Sequence, residues 1–426
     1  MSILYDLIFL IFAAVNLPVY LYKKKFHSGF TRRLGFLPKD LSLNCPIWVH
    51  AVSVGEALAV KGLVREITSV YAQKKLVIST VTPTGNKVAR SYARNHDFIT
   101  YLPLDLSFIV RKIIAKIQPS LFIIAETEIW PNTITLLHKY GIPVIVVNGR
   151  ISDGSYRGYL LIRFLLKPIL KKVSFFCVQT HSDAERLASL GVDKDKIEVT
   201  GNMKFDSYDY ADLKREFTDL RFLLKVKRED KVLVCGSTHP GEEKIILEVY
   251  KKLIKEYKNL KLLIAPRHPE RGRQVADLIQ NSGLQSVRIS RRDELGSLSA
   301  GGEVFVLDTI GELVSYYKLA DIVFVGGSLT KVGGHNILEP ASMGKPVIFG
   351  PYMFNFRDIA EIFLDSRAAL RVSTDEDLFR AVKYLLDNPV EIPLMVKRAL
   401  EVICLNQGAT AKNIAQIKRL FFIKDA

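Results

Sequence analysis

Residues 47–60 read IWVHAVSVGEALAV. From Ile47 to Val52 the run is apolar except for His50, as a strand reads when both its faces are covered. Ser53 and Glu56 then have the S-x-x-E spacing of a capping box, and helix-period residues follow. A strand, a short turn and a helix make one βα unit of a parallel sheet, and such sheets bind ligands at the carboxyl ends of their strands. The stretch leaves Glu56 with two readings, a helix cap or a catalytic base.

The same pattern repeats outward. Apolar runs recur at 76–82 (LVISTVT), 98–103 (FITYLP), 121–128 (LFIIAETE), 144–150 (VIVVNGR) and 175–180 (FFCVQT), with helix-period segments such as 57–71 and 105–117 between them. This predicts a doubly wound α/β domain. A polar stretch around Asp206 interrupts the alternation, which restarts with runs at 232–238, 260–266, 303–309, 321–328 and 345–351. The reading is therefore an anchor and basic segment over 1–33, an N-terminal Rossmann-like domain over 34–206 and a second one over 207–398. A C-terminal helix over 399–426 is expected to pack back across the hinge.

The 426 residues exceed one ordinary domain, and a composition 48% hydrophobic and 24% charged describes a packed chain. The net charge of +16 favours an anionic partner. No aromatic-basic pattern of an RNA-binding sheet is present, so a membrane or a phosphorylated substrate is expected rather than nucleic acid. Cys45, Cys177, Cys235 and Cys404 form no C-x-x-C pair and read as reduced core residues of a cytosolic protein, with all but Cys404 in or beside apolar runs. The eight histidines show no metal-ligand spacing, so no metal site is expected. Residues 1–22 are apolar apart from Ser2, Asp6, Asn16 and Pro18, and Lys23-Lys24-Lys25 follows. Charges after the apolar run and no small-residue cleavage site argue against a signal peptide. Spanning the bilayer and lying in its interface both remain open; in either case the basic cluster Lys23 to Arg33 belongs on the cytoplasmic side.

Candidate site residues follow the strands. Gly326-Gly327-Ser328 closes one, and Gly333-Gly334-His335-Asn336 precedes a helix whose N-terminus, with the glycine amides, suits a phosphate. Asn336 can also serve as an N-cap, and Glu339 stands where a carboxylate meets ribose hydroxyls. Further loops are 236–242 (GSTHPGE), 266–271 (PRHPER) and 308–312 (DTIGE); Arg267 or Arg271 suits a phosphate or a sugar carboxylate. No dinucleotide fingerprint, Walker pattern or D-x-D at a strand end is present, so cations and helix N-termini must take the phosphate charge. In the first half, Glu56, Thr82-Pro-Thr-Gly85 and Glu126/Glu128 follow strands. Glu126 and Glu128, two apart, would share a face if the strand continued through them. On spacing alone Lys204 reads as a linker lysine.

HAVSVGE, TPTG, ETEIWPN, GNMKFD, GSTHPGEE, APRHPER, DTIGEL and GGSLTKVGGHNILEP, in this order, resemble the motifs of bacterial lipid A Kdo (3-deoxy-D-manno-octulosonic acid) transferases. The resemblance extends over nearly the whole chain and departs from the family pattern at Pro240, where an acidic residue is more usual. It implies a GT-B fold, two Rossmann-like domains facing across a cleft, with an N-terminal membrane-anchor helix. It implies an inverting, metal-independent and cofactor-free glycosyltransferase moving Kdo from CMP-Kdo to a lipid A precursor at the cytoplasmic side of the inner membrane. By the same resemblance Glu56 is the base, and Glu126, preferred over Glu128, stabilises the transition state with Lys204. Pro266, Arg267, Ile310, Gly311, Glu312, Asn336, Ile337, Leu338 and Glu339 form the CMP site.

A general base must be ionised, and a helix N-terminus lowers a carboxylate pKa, so Glu56 is expected to be charged at neutral pH. Two other readings fit the architecture or the charge. A sugar-nucleotide epimerase has the same two domains but needs no anchor, and a membrane-attached module for anionic lipid needs neither Glu56 nor the glycine loops.

Overall fold

The computed structural model describes residues 2–22, 29–207, 220–291 and 303–425. The chain divides into two compact units, Met1–Ser207 with Asn406–Ala426, and Tyr208–Leu405.

The first unit is built on seven parallel strands: β1 (Ile47–His50), β2 (Leu76–Thr80), β3 (Phe98–Tyr101), β4 (Leu121–Ala125), β5 (Val144–Gly149), β6 (Phe175–Val178) and β7 (Ile197–Val199). Their order is β3-β2-β1-β4-β5-β6-β7. The apolar runs are continuous because alternate side chains enter two separate cores. Trp48, Phe122 and Ile124 pack on one face, and Ile47, Val49, Leu121 and Ile123 on the other. Each such side chain, fully buried, contributes about 1.5–3 kcal/mol. The order reverses between β1 and β4, which makes the carboxyl ends of those two strands the switch point where α/β sheets take ligands.

The second unit repeats the plan with β8 (Lys231–Thr238), β9 (Leu260–Pro266), β10 (Gln285–Arg288), β11 (Glu303–Val306), β12 (Ile322–Val325), β13 (Val347–Phe349) and β14 (Ala369–Arg371), all parallel. The order is β10-β11-β9-β8-β12-β13-β14, with its switch point between β8 and β12.

The C-terminal helical stretch is interrupted. One helix, Glu391–Leu405, belongs to the second unit and another, Ala409–Asp425, to the first. Gly408 between them takes φ +101°, a left-handed conformation that suits glycine. Asp206 accepts hydrogen bonds from the backbone N–H of Gly408 (2.7 Å) and Thr410, and so caps the second helix. Ile414 and Ile417 of that helix complete the core of the first unit.

Residues Ser2–Tyr22 are helical. Among the described residues no helix is long and apolar enough to cross a membrane. The lysines at 23–25, expected to mark the cytoplasmic side, lie outside the described residues. Asp6, which interrupts the apolar run, accepts hydrogen bonds from the Ser107 N–H (3.0 Å), the Ser107 hydroxyl and the Asn132 side-chain amide (2.6 Å). Cys177 and Cys235 are buried, but Cys45 and Cys404 are exposed; Cys45 precedes its strand instead of entering the core.

Candidate active site

In the first unit the helix Val54–Ala59 starts at Ser53, whose hydroxyl accepts from the Glu56 N–H at 3.5 Å. Glu56 completes the cap in a shifted form. One carboxylate oxygen accepts from the Val52 N–H at 2.6 Å and the other from the Ser53 hydroxyl at 2.9 Å. The Ser53 backbone amide is not used, so each oxygen keeps lone-pair capacity for a proton. Gly85 of the TPTG turn supports this arrangement, because a Cβ there would meet the Ser53 carbonyl carbon at 3.2 Å and the Thr82 hydroxyl at 2.9 Å.

Glu56 is only 8% exposed. Burial, and next the negative charge of Glu126, push its pKa from 4.5 up to about 7, against the hydrogen bonds from Val52 and Ser53. The expectation of a fully ionised Glu56 is thereby corrected: the helix N-terminus and two donors are outweighed by desolvation and a neighbouring carboxylate. A base with a pKa near the working pH is well matched to proton transfer.

Glu126 and Glu128 do not share a strand face. β4 ends at Ala125, and Glu126 turns to φ +57° while its N–H still donates to the Val147 carbonyl at 2.9 Å. A non-glycine residue held there costs about 1–3 kcal/mol. The turn brings the Glu126 carboxylate to 3.4 Å from Lys204 Nζ. Lys204 is therefore not a solvated linker residue. Its turn is fixed by Asn148, whose side chain accepts from the Met203 N–H, and by Asn202, which accepts from the Lys204 N–H. Glu128 has no ion pair among the described residues, and burial followed by Glu126 raises its pKa. The first sheet thus gathers three carboxylates and one lysine at its switch point.

In the second unit the glycine turn after β12 is already filled. The wholly buried Glu242 accepts from the N–H groups of His239 (2.9 Å), Gly327 (2.7 Å), Ser328 (2.9 Å) and Leu329 (2.9 Å). The amides of Gly327 and Ser328 hold an internal carboxylate, and the Gly334 N–H donates to the Gly327 carbonyl. These groups therefore do not cradle a phosphate as the sequence suggested. Pro240 leaves the Glu242 contacts intact.

Arg271 is also committed, pairing at 2.8 Å with the buried Glu243. Arg267 is exposed, with its N–H on the Thr238 carbonyl at the end of β8. Pro266 closes β9. His239 and His335 stack with ring centroids 5.1 Å apart and share an Nε2···Nε2 hydrogen bond of 2.9 Å, and His268 meets His239 edge-on at 6.1 Å. Burial, then Arg267, holds the His335 pKa down to about 3, and burial also lowers that of His239. One proton between two neutral rings satisfies the contact. This pair was missed in the sequence; its only signal is that three histidines all fall in loops after strands.

Gly311 takes φ +86° between the exposed Ile310 and Glu312, whose carboxylate accepts from the Thr309 hydroxyl. Asn336 accepts from the Leu338 N–H at 3.1 Å, opening the short helix Leu338–Ser342, and its amide lies 3.4 Å from the Glu339 carboxylate. Ile337 and Leu338 have fully buried side chains, so only their backbone faces this turn. Among the described residues no group of three or more His, Cys, Asp or Glu is placed to hold a metal ion.

Residues 28–207 match the family described as 3-Deoxy-D-manno-octulosonic-acid transferase (kdotransferase). The chain is 37% identical over 399 residues to a 3-deoxy-D-manno-octulosonic acid transferase of Haemophilus influenzae, covering 92% of each chain. It is 32% identical over 399 residues to one of Chlamydophila psittaci, covering 92% of this chain and 90% of that one. Among solved structures, UDP-GlcNAc 2-epimerase from Neisseria meningitidis bound to UDP-GlcNAc aligns with a TM-score of 0.62 at 14% identity, over 88% of this chain and 100% of that one. That likeness is one of fold: two Rossmann-like units, as in GT-B-like proteins. With a relative matched over 92% of both chains above 30% identity, this chain belongs to the 3-deoxy-D-manno-octulosonic acid transferase family.

Proposed function

We propose that this chain transfers Kdo from CMP-Kdo to a phosphorylated lipid A precursor in lipopolysaccharide biosynthesis, by a single inverting displacement at the cytoplasmic face of the inner membrane. Family membership supports the reaction class. The observation that carries the assignment of roles is the buried Glu56, with its pKa near 7, beside the Glu126–Lys204 pair at the switch point of the first sheet.

In this reading an acceptor hydroxyl gives its proton to a Glu56 oxygen as its own oxygen bonds the Kdo anomeric carbon. The bond from that carbon to the phosphate oxygen breaks, and CMP leaves with the electron pair. Lys204, held by Glu126, offsets charge developing on the sugar carboxylate or the leaving phosphate. In the second unit Arg267 faces the phosphate, while the 310–312 turn, Pro266 and the 336–339 turn contact the rest of CMP. No metal is assigned a part in this chemistry; charge is met by Arg267 and Lys204. The net charge of +16 suits an anionic donor, a phosphorylated acceptor and an acidic membrane face. The N-terminal helix exposes Leu7, Ile8, Leu10, Ile11 and Val15, an apolar arc suited to the lipid interface.

The test is to supply CMP-Kdo or UDP-GlcNAc with a tetraacylated lipid A precursor, with and without EDTA. Kdo-bearing lipid and stoichiometric CMP from the first donor alone, unchanged by EDTA, are expected. Epimerised UDP-sugar, or no transfer from CMP-Kdo, would overturn the proposal.

A further inference from the structure

The N-terminal helix has two distinct faces. Leu7, Ile8, Leu10, Ile11 and Val15 are exposed, while Tyr5, Asp6 and Phe9 are turned inward. Phe9 packs on the core of the first unit. Asp6 holds the start of another helix, Pro131–Lys139. Asp6 accepts from the Asn132 side-chain amide at 2.6 Å while bonding Ser107 at the start of Ser107–Ile117. Tyr5 stands beside Asp105, a wholly buried carboxylate. Asp105 in turn accepts from the Asn132 N–H (3.0 Å), the Thr133 N–H (2.8 Å) and the Thr133 hydroxyl (2.7 Å), and its carbonyl accepts from the Asn132 amide (2.6 Å).

Asn132 is the second residue of that helix, and the segment just before it carries Glu126, Glu128 and Trp130. Its far end is fixed to the sheet, through the Glu126 N–H on Val147 and the Thr127 hydroxyl accepting from the Arg150 N–H. Its near end is fixed by Asp105 and, through the Asn132 side-chain amide, by Asp6 of the N-terminal helix. A five-residue loop held at both ends presents its carboxylates in one place; released at one end, it admits water and lets them move.

We propose that Asp6 is a positioning residue: by fastening Asn132 it sets the 126–130 loop, so that the N-terminal helix is part of the scaffold of the carboxylate cluster and not only an attachment to lipid. The inference rests on the reading of Glu56 as the base and of Glu126 as its charged neighbour. The groups facing Glu56 are Glu126, paired with Lys204, and Glu128; those facing Asp6 are Ser107 and Asn132, with Tyr5 and Asp105 beside them.

Asp6→Leu keeps size, helix and lipid affinity but accepts no hydrogen bond. Asp6→Asn keeps an oxygen for Asn132 and the Ser107 N–H, and the Ser107 hydroxyl can turn to accept from the new amide. Full-length variants are assayed with acceptor in detergent micelles, where membrane attachment is not needed, and by flotation with anionic vesicles. Asp6→Leu is expected to float like wild type, lose about tenfold in kcat with less change in KM for CMP-Kdo, and move the acidic limb of kcat/KM to lower pH, because a loosened loop relieves the burial and repulsion acting on Glu56. Asp6→Asn should stay within about threefold of wild type with the limb in place.

The limb midpoint is independent of the folded fraction, so partial unfolding of Asp6→Leu does not obscure the result. Wild-type kcat and limb in Asp6→Leu, or equal loss in both variants, would overturn the proposal. So would a loss that tracks flotation alone. Glu56→Gln run in parallel separates the two ideas. If it retains turnover, the base assignment fails while the leucine-to-asparagine difference in kcat still judges the role of Asp6.

Discussion

Glu56 is a carboxyl that the fold holds at a cost, and Glu56→Gln should expose that cost as a pH-dependent gain in stability. A folded-state pKa of about 7 against an ordinary 4.5 means that the folded chain binds the proton more tightly than the unfolded one. The associated stability is full below pH 4.5 and lost as pH rises through 7, by about 3 kcal/mol in total. Glutamine removes the titration and can keep both cap contacts, its oxygen on the Val52 N–H and its amide on the Ser53 hydroxyl. The stability of Glu56→Gln relative to wild type should therefore rise by about 2.5 kcal/mol between pH 5 and pH 8, other titrations cancelling in the difference. Both tryptophans, Trp48 and Trp130, lie in the first unit, so denaturant unfolding followed by tryptophan fluorescence reads that unit alone. A difference that is flat across this window, or that falls with rising pH, would refute the reasoning and leave Glu56 a simple cap.

Lys204→Met leaves Glu126 unpaired, so repulsion on Glu56 grows; the acidic limb of kcat/KM should move up by as much as about one pH unit, and an unmoved limb would show that the lysine does not screen it. Glu242→Gln places an amide against backbone donors now bonded to a carboxylate, and thermal unfolding should show a loss of about 3 kcal/mol or more, comparable to Glu242→Ala. Gly327→Ala puts a Cβ at 2.8 Å from the His335 ring in a backbone of φ +66°, so calorimetric CMP affinity should fall together with stability.

Strands buried on both faces were legible because both cores demand apolar residues, as at 47–52 and 121–125. The edge strands β7, β10 and β14 were not. They are short and partly exposed, as in Gln285–Arg288, where only Val287 is buried. The break at Gly408 was hidden because the residues on both sides keep a helical period. The first-unit candidates stood out by their places after strands, but their electrostatics did not. The pKa of Glu56 depends on how deeply it is buried and on the left-handed turn at Glu126, and neither is written in local spacing. The occupant of the glycine turn after β12, Glu242, was hidden for a related reason. A glycine turn offers its amides to any anion, and here the anion comes from the helix that follows β8, far away in the sequence. Asp6 read as a flaw in an apolar helix because its partners, Ser107 and Asn132, lie about a hundred residues further along the chain.

The central claim is that Glu56 takes the proton when Kdo leaves CMP for the lipid. The most direct test is single-turnover transfer from CMP-Kdo to the tetraacylated lipid A precursor by wild type and Glu56→Gln at pH 7.5, with CMP affinity measured on the same samples. The account predicts efficient transfer by wild type and a fall of about a hundredfold or more in the variant, at unchanged CMP affinity. Transfer by Glu56→Gln within a few fold of wild type would contradict it.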